Sequence, residues 1–476
     1  MKQMPKDTKN ILHMKRPDAT GKTVLVLGLG ETGLSMVRWF SEKGTSLRIA
    51  DSRLNPPGLE EAARLVKPEE IHCGEFDDAL LEGVGMIAMS PGVPIADPFV
   101  RKAMASGVHV VGDIEIFAQH LSETESRAQV IAITGSNGKT TVTSMVEFLC
   151  KAVGRNAVAA GNISPAVLDV VMDRKDKQPE VWALELSSFQ LETTESLRAD
   201  AAVVLNISED HLDRYAGMDE YADAKERIYH GCRVQILNRD DARCMKMIRK
   251  GKPSITFGLS MPENDADFGI EKEGGEIWLV RGRERLIKTS ELQIAGLHNA
   301  ANAQAALALC SATGLPMPAM LEALKRFKGL AHRVEFVTCI NDVSFYDDSK
   351  GTNVGATVAA LEGLGCKSVL IAGGIGKGQD FSPLKPAVMK HARAVVLIGQ
   401  DAPLIEAALK ECSVPVLRAN DMREAVLEAT RQARPKDAVL LSPACASFDM
   451  YRNYAHRAEV YVGEVLKLDK EVAWLH

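Results

Sequence analysis

The chain of 476 residues contains no C-x-x-C pair, no internal repeat and no low-complexity tract. No apolar run approaches the roughly 18 residues needed to span a bilayer. Its nine cysteines are odd in number and scattered, which argues against a disulfide framework or a thiolate zinc site and for reduced thiols in the cytoplasm. Excess positive charge is missing too: the net charge is −6, so neither a nucleic-acid surface nor a membrane partner is expected. Behind Lys2, Lys6, Lys9, Lys15 and Arg16 there is no apolar stretch, so residues 1–20 are expected to form a mobile polar extension and not a secretory leader. What remains is 46% hydrophobic and 25% charged, ordinary globular protein of a length suited to about three domains.

A further absence marks the most informative stretch, Ile131–Thr141. The phosphate loop G-x-x-x-x-G-K-[ST] would need glycine at 133, where the chain has Ile133. The remainder is intact. An apolar run stops at Gly135, passes through Ser136, Asn137 and Gly138, and reaches Lys139-Thr140-Thr141 before a helical pattern begins. This is a shortened strand–turn–helix cradle for phosphate. Backbone N–H groups and the helix terminus attract the anion, Lys139 adds a full charge, and Thr140 can offer a hydroxyl to Mg²⁺.

The pattern of the chain is α/β. Residues 21–112 alternate strands and helices as in a Rossmann-like domain. They carry Gly28-Leu-Gly30-Glu-Thr-Gly33 and, about 20 residues on, Asp51-Ser52-Arg53. Any tight strand-to-helix turn would explain that match as well as a dinucleotide site does. Residues 113–329 read as a central domain with a mostly parallel sheet. Its strands Val130–Thr134, Val181–Leu186 and Ala201–Ile207 end in polar clusters that should be neighbours at the carboxyl edge. Residues 233–295 read as an antiparallel appendage. Residues 330–476 read as a second Rossmann-like sheet opened by a hairpin around Asn341-Asp342.

Several residues stand out chemically. Glu185 is a carboxylate inside an apolar strand and is either a solvated strand end or a Mg²⁺ ligand beside Thr140. His211 follows the third strand among acids, with a solvated or a metal- or phosphate-binding role equally open. Lys225 shares a helical face with Tyr221, Ile228 and Cys232, where an amine must snorkel, pair or be modified. Near Mg²⁺ it could take up CO₂ as a carbamate. Asp347-Asp348-Ser349-Lys350 crowds charge before a helix that Ser349 or Thr352 could cap, Lys377 lies in a glycine-rich loop, and Arg333 stands at a domain junction.

Together these residues resemble the Mur ligases. The resemblance rests on Thr134–Thr141, Leu184–Glu192, Asn206–Tyr215, Gly296–Asn299, His332-Arg333, Asp348–Asn353 and Leu441–Ser447, and spans about residues 22 to 465. Leu184–Glu192 and Leu441–Ser447 resemble the branch that adds D-glutamate to UDP-N-acetylmuramoyl-L-alanine. The resemblance implies an ATP-dependent ligase, monomeric, with two Mg²⁺ ions. Gly135, Ser136, Asn137, Gly138, Lys139, Thr140 and Thr141 would hold the ATP phosphates, Asn299 and Asn302 the adenine, Asp348 the ribose and Arg333 the γ-phosphate. Thr140, Glu185, His211 and a carbamylated Lys225 would ligate the metal. Thr32, Asp51, Ser52, Arg53, Ser90 and Gly92 would bind UDP, with Asn162 and His211 facing the muramoyl-alanine. Lys350, Thr352, Lys377, Ser447 and Phe448 would hold D-glutamate, and Lys139, His211, Lys225 and Lys350 would form the catalytic set. Tyr454, Glu31 and Asp347 depart from the family pattern, where Phe, an apolar residue and Asn are usual. The alternatives are a nicotinamide oxidoreductase using Gly28–Gly33, a P-loop switch protein, and a sister ligase for another amino acid.

Overall fold

The computed structural model describes residues 22–175, 177–210, 214–294 and 296–473. The extension expected over residues 1–20 and the ligand expected at His211 lie outside the described residues. The chain forms two compact units.

The first unit takes the described residues up to Ser126 together with Ser164–Gln178 and Phe189–Leu197. Its sheet is parallel throughout, in the order Ile71–Cys73, Leu47–Asp51, Thr23–Leu27, Val84–Met89, His109–Val111. The first strand is the core of the unit, with Leu25, Val26 and Leu27 wholly buried. The turn that follows needs its glycines. Gly28 has φ +88°, and a Cβ on Gly33 would lie 1.7 Å from the Gly28 carbonyl oxygen. The helix Glu31–Glu42 therefore leaves the strand at backbone contact distance.

Two segments distant in sequence complete this unit. The helix Val167–Arg174 packs on Glu31–Glu42, and Arg38 joins Glu61 at 2.6 Å to Asp169 at 2.9 Å. The helix Asp113–Glu123, which the sequence pattern assigns to the central domain, also belongs here. Its buried Asp113 accepts a hydrogen bond from Gln190, and Glu115 accepts the backbone N–H groups of Glu195 and Ser196.

In the second unit one sheet has six parallel strands, in the order Ser254–Phe257, Val234–Asn238, Ala201–Val204, Gln129–Thr134, Val181–Glu185, Ala157–Gly161. The three polar-ended strands are adjacent, as expected. The antiparallel appendage is smaller than the sequence reading had it. Only Phe268–Glu273, Glu276–Arg281 and Glu284–Lys288 are antiparallel. Val234–Asn238 and Ser254–Phe257 extend the parallel sheet instead, and the unbroken burial of Val234, Gln235, Ile236 and Leu237 explains why. A strand covered on both faces reads as a continuous run without alternation.

The remaining sheet runs Glu335–Ile340, Val343–Asp347, Ala438–Leu441, Ser368–Gly373, Ala392–Ile398, Val416–Arg418. Its first pair is the expected hairpin, turning through Asn341 and Asp342 at positive φ. The chain moves outward from Ser368–Gly373 to Val416–Arg418, then returns to insert Ala438–Leu441. The loops after Gly373 and Leu441 thus flank a topological switch point, where such sheets bind ligands.

Replacing Gly33 by Ala should destabilise the protein by at least about 3 kcal/mol, because backbone must move to admit the methyl group. A denaturant midpoint equal to that of the native protein would contradict the close strand–helix approach.

Candidate active site

The cradle is shaped by two glycines that no side chain could replace cheaply. Gly135 has φ +150° with its absent Cβ 2.9 Å from Leu205 Cβ, and Gly138 has φ +83° facing Asn302 Oδ1 at 2.6 Å. The loop is braced from the neighbouring strand end. Asn137 N–H donates to Asn206 Oδ1 at 2.8 Å, Asn206 Nδ2 returns a bond to Asn137 O, and Ser208 N–H donates to Ser136 Oγ at 2.9 Å. The helix Lys139–Ala152 begins directly behind it.

Lys139 folds back over the loop, its Nζ donating to Gly135 O at 2.8 Å and Ser136 O at 3.0 Å. Burial lowers its pKa, with Glu185 and Asp210 pulling the other way. Arg333 reaches the cradle as well: its Nη2 donates to Thr140 Oγ1 at 2.8 Å.

Glu185 is buried at the end of its strand. Its Oε1 accepts from Asn162 Nδ2 at 2.9 Å, while Oε2 is buried without a hydrogen-bond partner. An orphaned carboxylate oxygen beside a phosphate cradle and a threonine hydroxyl fits a hard divalent cation. Lys225 is 1% exposed, which removes the snorkelling alternative. Its Nζ lies 3.3 Å from Thr134 Oγ1 and 4.7 Å from the centre of the Tyr221 ring. Burial, then the nearby Lys139, holds its pKa well below the ordinary lysine value.

A cavity of about 370 Å³ opens beside the loop. Asn137, Gly138, Thr141, Asn299, Asn302, Arg333, Asp348 and Lys350 line it together with the apolar Leu205 and Phe257. Asn302 Nδ2 donates to Asn299 Oδ1 at 3.2 Å. Asp348 accepts from Ser442 Oγ at 2.6 Å, and burial pushes its pKa up to about 7 despite that bond and Arg333. Lys350 sits 3.7 Å above the Tyr454 ring and is drawn down to about 8 by burial and by Arg333.

The residues expected to hold the amino acid sit on loops tied to one another. Ile375 and Ala446 exchange backbone hydrogen bonds at 2.9 Å, and Gln379 Nε2 donates to Ala444 O. Ser447 is buried, Thr352 half-buried, and Lys377 and Phe448 exposed. The helix after Lys350 is capped by Asn353, not by Ser349 or Thr352. Asn353 also bonds Asn137 of the cradle at 3.0 Å, which neither hydroxyl residue does, and Ser349 is taken up by Arg457.

In the first unit, Asp51 is buried and accepts from Leu29 N–H and from Arg53. Burial alone would raise its pKa, but these bonds hold it near 2. Ser90 packs beneath Gly28 and Gly33, while Ser52, Arg53 and Gly92 face outward and Thr32 is half-buried.

Three participants were given no role in the sequence reading. His298 lines the cavity with Nδ1 buried and unpartnered, Ser442 holds Asp348, and Tyr454 carries Lys350 on its ring. Each had left a signal: His298 as the neighbour of Asn299, Ser442 within Leu441–Ser447, and Tyr454 as a departure from the family pattern.

Three family descriptions match successive parts of the chain: Mur ligase MurD-like, N-terminal domain over residues 22–112; Mur ligase middle domain over 133–310; and Mur ligase, glutamate ligase domain over 332–445. With the cradle, its buried acid and its inward lysine already in place, the chain belongs to the Mur ligase family. It is similar to proteins named UDP-N-acetylmuramoylalanine–D-glutamate ligase. That of Nitrosomonas europaea is 54% identical over 460 residues, 95% of this chain and 98% of the relative. That of Methylobacillus flagellatus is 55% identical over 450 residues, 94% and 98%. Among solved structures, the UDP-N-acetylmuramate–alanine ligase of Thermotoga maritima shares the fold at 19% identity, with a TM-score of 0.57 over 94% of this chain and 99% of that one. The pseudomurein peptide ligase type C of Methanothermus fervidus shares it at 17% identity and a TM-score of 0.57, over 94% and 100%. Family membership sets aside the oxidoreductase and switch-protein alternatives.

Because the folded pKa of Asp348 lies above its unfolded value of about 3.9, its contribution to stability is present at low pH and lost as pH rises through about 7. Asp348→Asn should therefore gain more stability over the native protein at pH 7.5 than at pH 5.5, by about 2 kcal/mol. Urea unfolding at the two pH values measures this; an equal difference at both would mean the carboxyl is not buried as described.

Proposed function

We propose that this chain is an ATP-dependent amide ligase that joins D-glutamate to the alanyl carboxylate of UDP-N-acetylmuramoyl-L-alanine, in cytoplasmic peptidoglycan precursor synthesis. The observation that carries this reading is the 54% and 55% identity, over 95% and 94% of the chain, to ligases of that name.

The chemistry follows from the difficulty of the substrate. An amine cannot displace oxide from a carboxylate. The alanyl carboxylate oxygen attacks the γ-phosphorus of ATP, ADP departs, and an acyl phosphate results. The D-glutamate amine then adds to the acyl carbon and loses a proton, and phosphate leaves with the former carboxylate oxygen. Lys139 exchanges its loop carbonyls for phosphate oxygens, and Arg333 shifts from Thr140 to the γ-phosphate. The cradle Gly135–Thr141 binds the phosphate chain, Asn299 and Asn302 the adenine, and Asp348 the ribose. Thr32, Asp51, Ser52, Arg53, Ser90 and Gly92 hold UDP, with Asn162 toward the muramoyl group. Lys350, Thr352, Lys377, Ser447 and Phe448 hold D-glutamate.

Mg²⁺ would be held by Thr140 and by Glu185, whose Oε2 is without a partner, and when bound it offsets the negative charge of the phosphates. A second ion would fall to His211 and Lys225, the latter as a carbamate. Support comes from the burial of Lys225, which favours the neutral amine that CO₂ requires. Among the described residues no helix is long and apolar enough to cross a membrane, which accords with soluble nucleotide substrates. One copy of the chain carries every role named here, so a monomer suffices.

Phosphate release should require ATP, UDP-N-acetylmuramoyl-L-alanine and D-glutamate together, with L-glutamate and L-lysine inactive; Lys139→Ala should lower it at least about 100-fold. Equal turnover with all three amino acids would defeat the acceptor assignment. In ¹³C-bicarbonate, the native protein should show a carbamate carbon resonance that Lys225→Ala lacks. Full activity in Lys225→Ala, or the same resonance in both, would eliminate the modified lysine.

A further inference from the structure

The residues around Arg333 form a turn that the backbone resists. His332 has φ +63° and Val334 has φ +49°, both in the left-handed region, and neither is glycine. For a β-branched valine this is an uncommon conformation, so something must impose it. Three hydrogen bonds converge on His332. Its N–H donates to Glu335 Oε2 at 2.8 Å, its carbonyl accepts Lys350 N–H at 3.2 Å, and its ring Nδ1 lies 2.7 Å from Asp347 Oδ2.

Asp347 is wholly buried, and its second oxygen is committed: Oδ1 accepts Ser349 N–H at 2.9 Å. Ser349 is held from behind by the buried Arg457, which donates to its hydroxyl at 3.0 Å and its carbonyl at 2.8 Å. The carboxylate is therefore a fixed point. Burial raises the Asp347 pKa while the bonds from His332 and Ser349 oppose it; in the ionised form the carboxylate only accepts, and the proton in the Asp347–His332 bond then belongs to Nδ1. His332, Glu335 and Asp347 also have the composition of a cation site. The direct N···O contact of 2.7 Å instead describes a shared proton, with no space for an ion between the two atoms. Alternation along the strand Val343–Asp347 and its continuation separates the two adjacent acids. Asp348 lines the cavity and also takes the Val334 N–H, while Asp347 holds the turn that bears Arg333 through His332.

We propose that Asp347 is a positioning residue for phosphoryl transfer: by holding His332 as an Nδ1–H donor it locks the left-handed turn that aims Arg333 at the phosphate cradle. Its kinetic consequence rests on the ligase reading above; the tautomer it dictates does not. Replacement by Asn changes the logic of the bond. If the amide oxygen keeps Ser349 N–H, the amide nitrogen must donate to His332 Nδ1, and the ring proton moves to Nε2.

Two measurements test this. In ¹⁵N spectra above neutral pH, with His332 identified by the signal lost in His332→Gln, native Nδ1 should be of the protonated type and Nδ1 of Asp347→Asn of the unprotonated type. Asp347→Ala should lower kcat about 10- to 100-fold while leaving KM for D-glutamate within about twofold, and Asp347→Asn should restore most of the loss by keeping the strut. Added to Arg333→Lys, Asp347→Ala should cost little more, since both act through one group. An unprotonated Nδ1 in the native protein overturns the proposal, as does a kcat for Asp347→Ala equal to native, a defect confined to D-glutamate KM, or an additive double variant. If Asp347→Ala fails to fold, the tautomers of the native and Asp347→Asn proteins decide. Absence of phosphate release by the native chain would instead overturn the ligase reading, and the spectra would still judge the role of Asp347.

Discussion

Five ionisable side chains surround one strand-to-helix loop, Glu185, Lys225 and Asp348 buried and Lys139 and Arg333 half-buried, and their desolvation governs what the loop can do. None is paired as a simple salt bridge among the described residues. Lys139 leans on backbone carbonyls, Arg333 on a threonine hydroxyl, Asp348 on a serine, and Glu185 on one amide with an oxygen left over. Such an arrangement is costly in the empty protein and becomes favourable when an anionic phosphate chain and a cation enter together. The site is preorganised for charge that it does not itself supply.

This constraint explains the surrounding architecture. Three parallel strands bring their carboxyl ends together, so Thr134, Glu185 and Leu205 meet at one edge although they are far apart in sequence. The carboxyl-terminal sheet adds Arg333, Asp348 and Lys350 through a hairpin and a capped helix, and Asn353 fastens that helix to the cradle. Rigid scaffolding of this kind limits the reorganisation left to the reacting groups.

Much of this was legible in the residues. The cradle, the inward face of Lys225, the anomalous Glu185 and the Asn341-Asp342 turn all follow from local pattern, because spacing and turn chemistry act over a few residues. Two groupings in the structure differ from local pattern, each for its own reason. Val234–Asn238 carries the uniform burial of a parallel strand, which periodicity alone cannot tell from other apolar runs. Asp113–Glu123 is held in its unit by Gln190, Glu195 and Ser196, partners 77 to 81 residues away that no local pattern reveals. Likewise, Ser442 beneath Asp348 and Tyr454 beneath Lys350 depend on the return of a strand to the middle of its sheet. A helix cap was expected, but choosing among Ser349, Thr352 and Asn353 required knowing that Arg457 claims the first.

The contribution of Ser164–Gln178 and Phe189–Leu197 to the first unit bears on how the chain can be made. A ribosome that has released residues up to Ser126 has not delivered the helix Val167–Arg174 or the Gln190 side chain. The amino-terminal sheet must wait, incompletely covered, until Leu197 has emerged, by which time the cradle strand and Val181–Glu185 are also outside. A gene cut after Ser126 would keep the sheet core from Leu25 to Ala103 but lose the helix that covers Glu31–Glu42 and the Gln190 partner of Asp113.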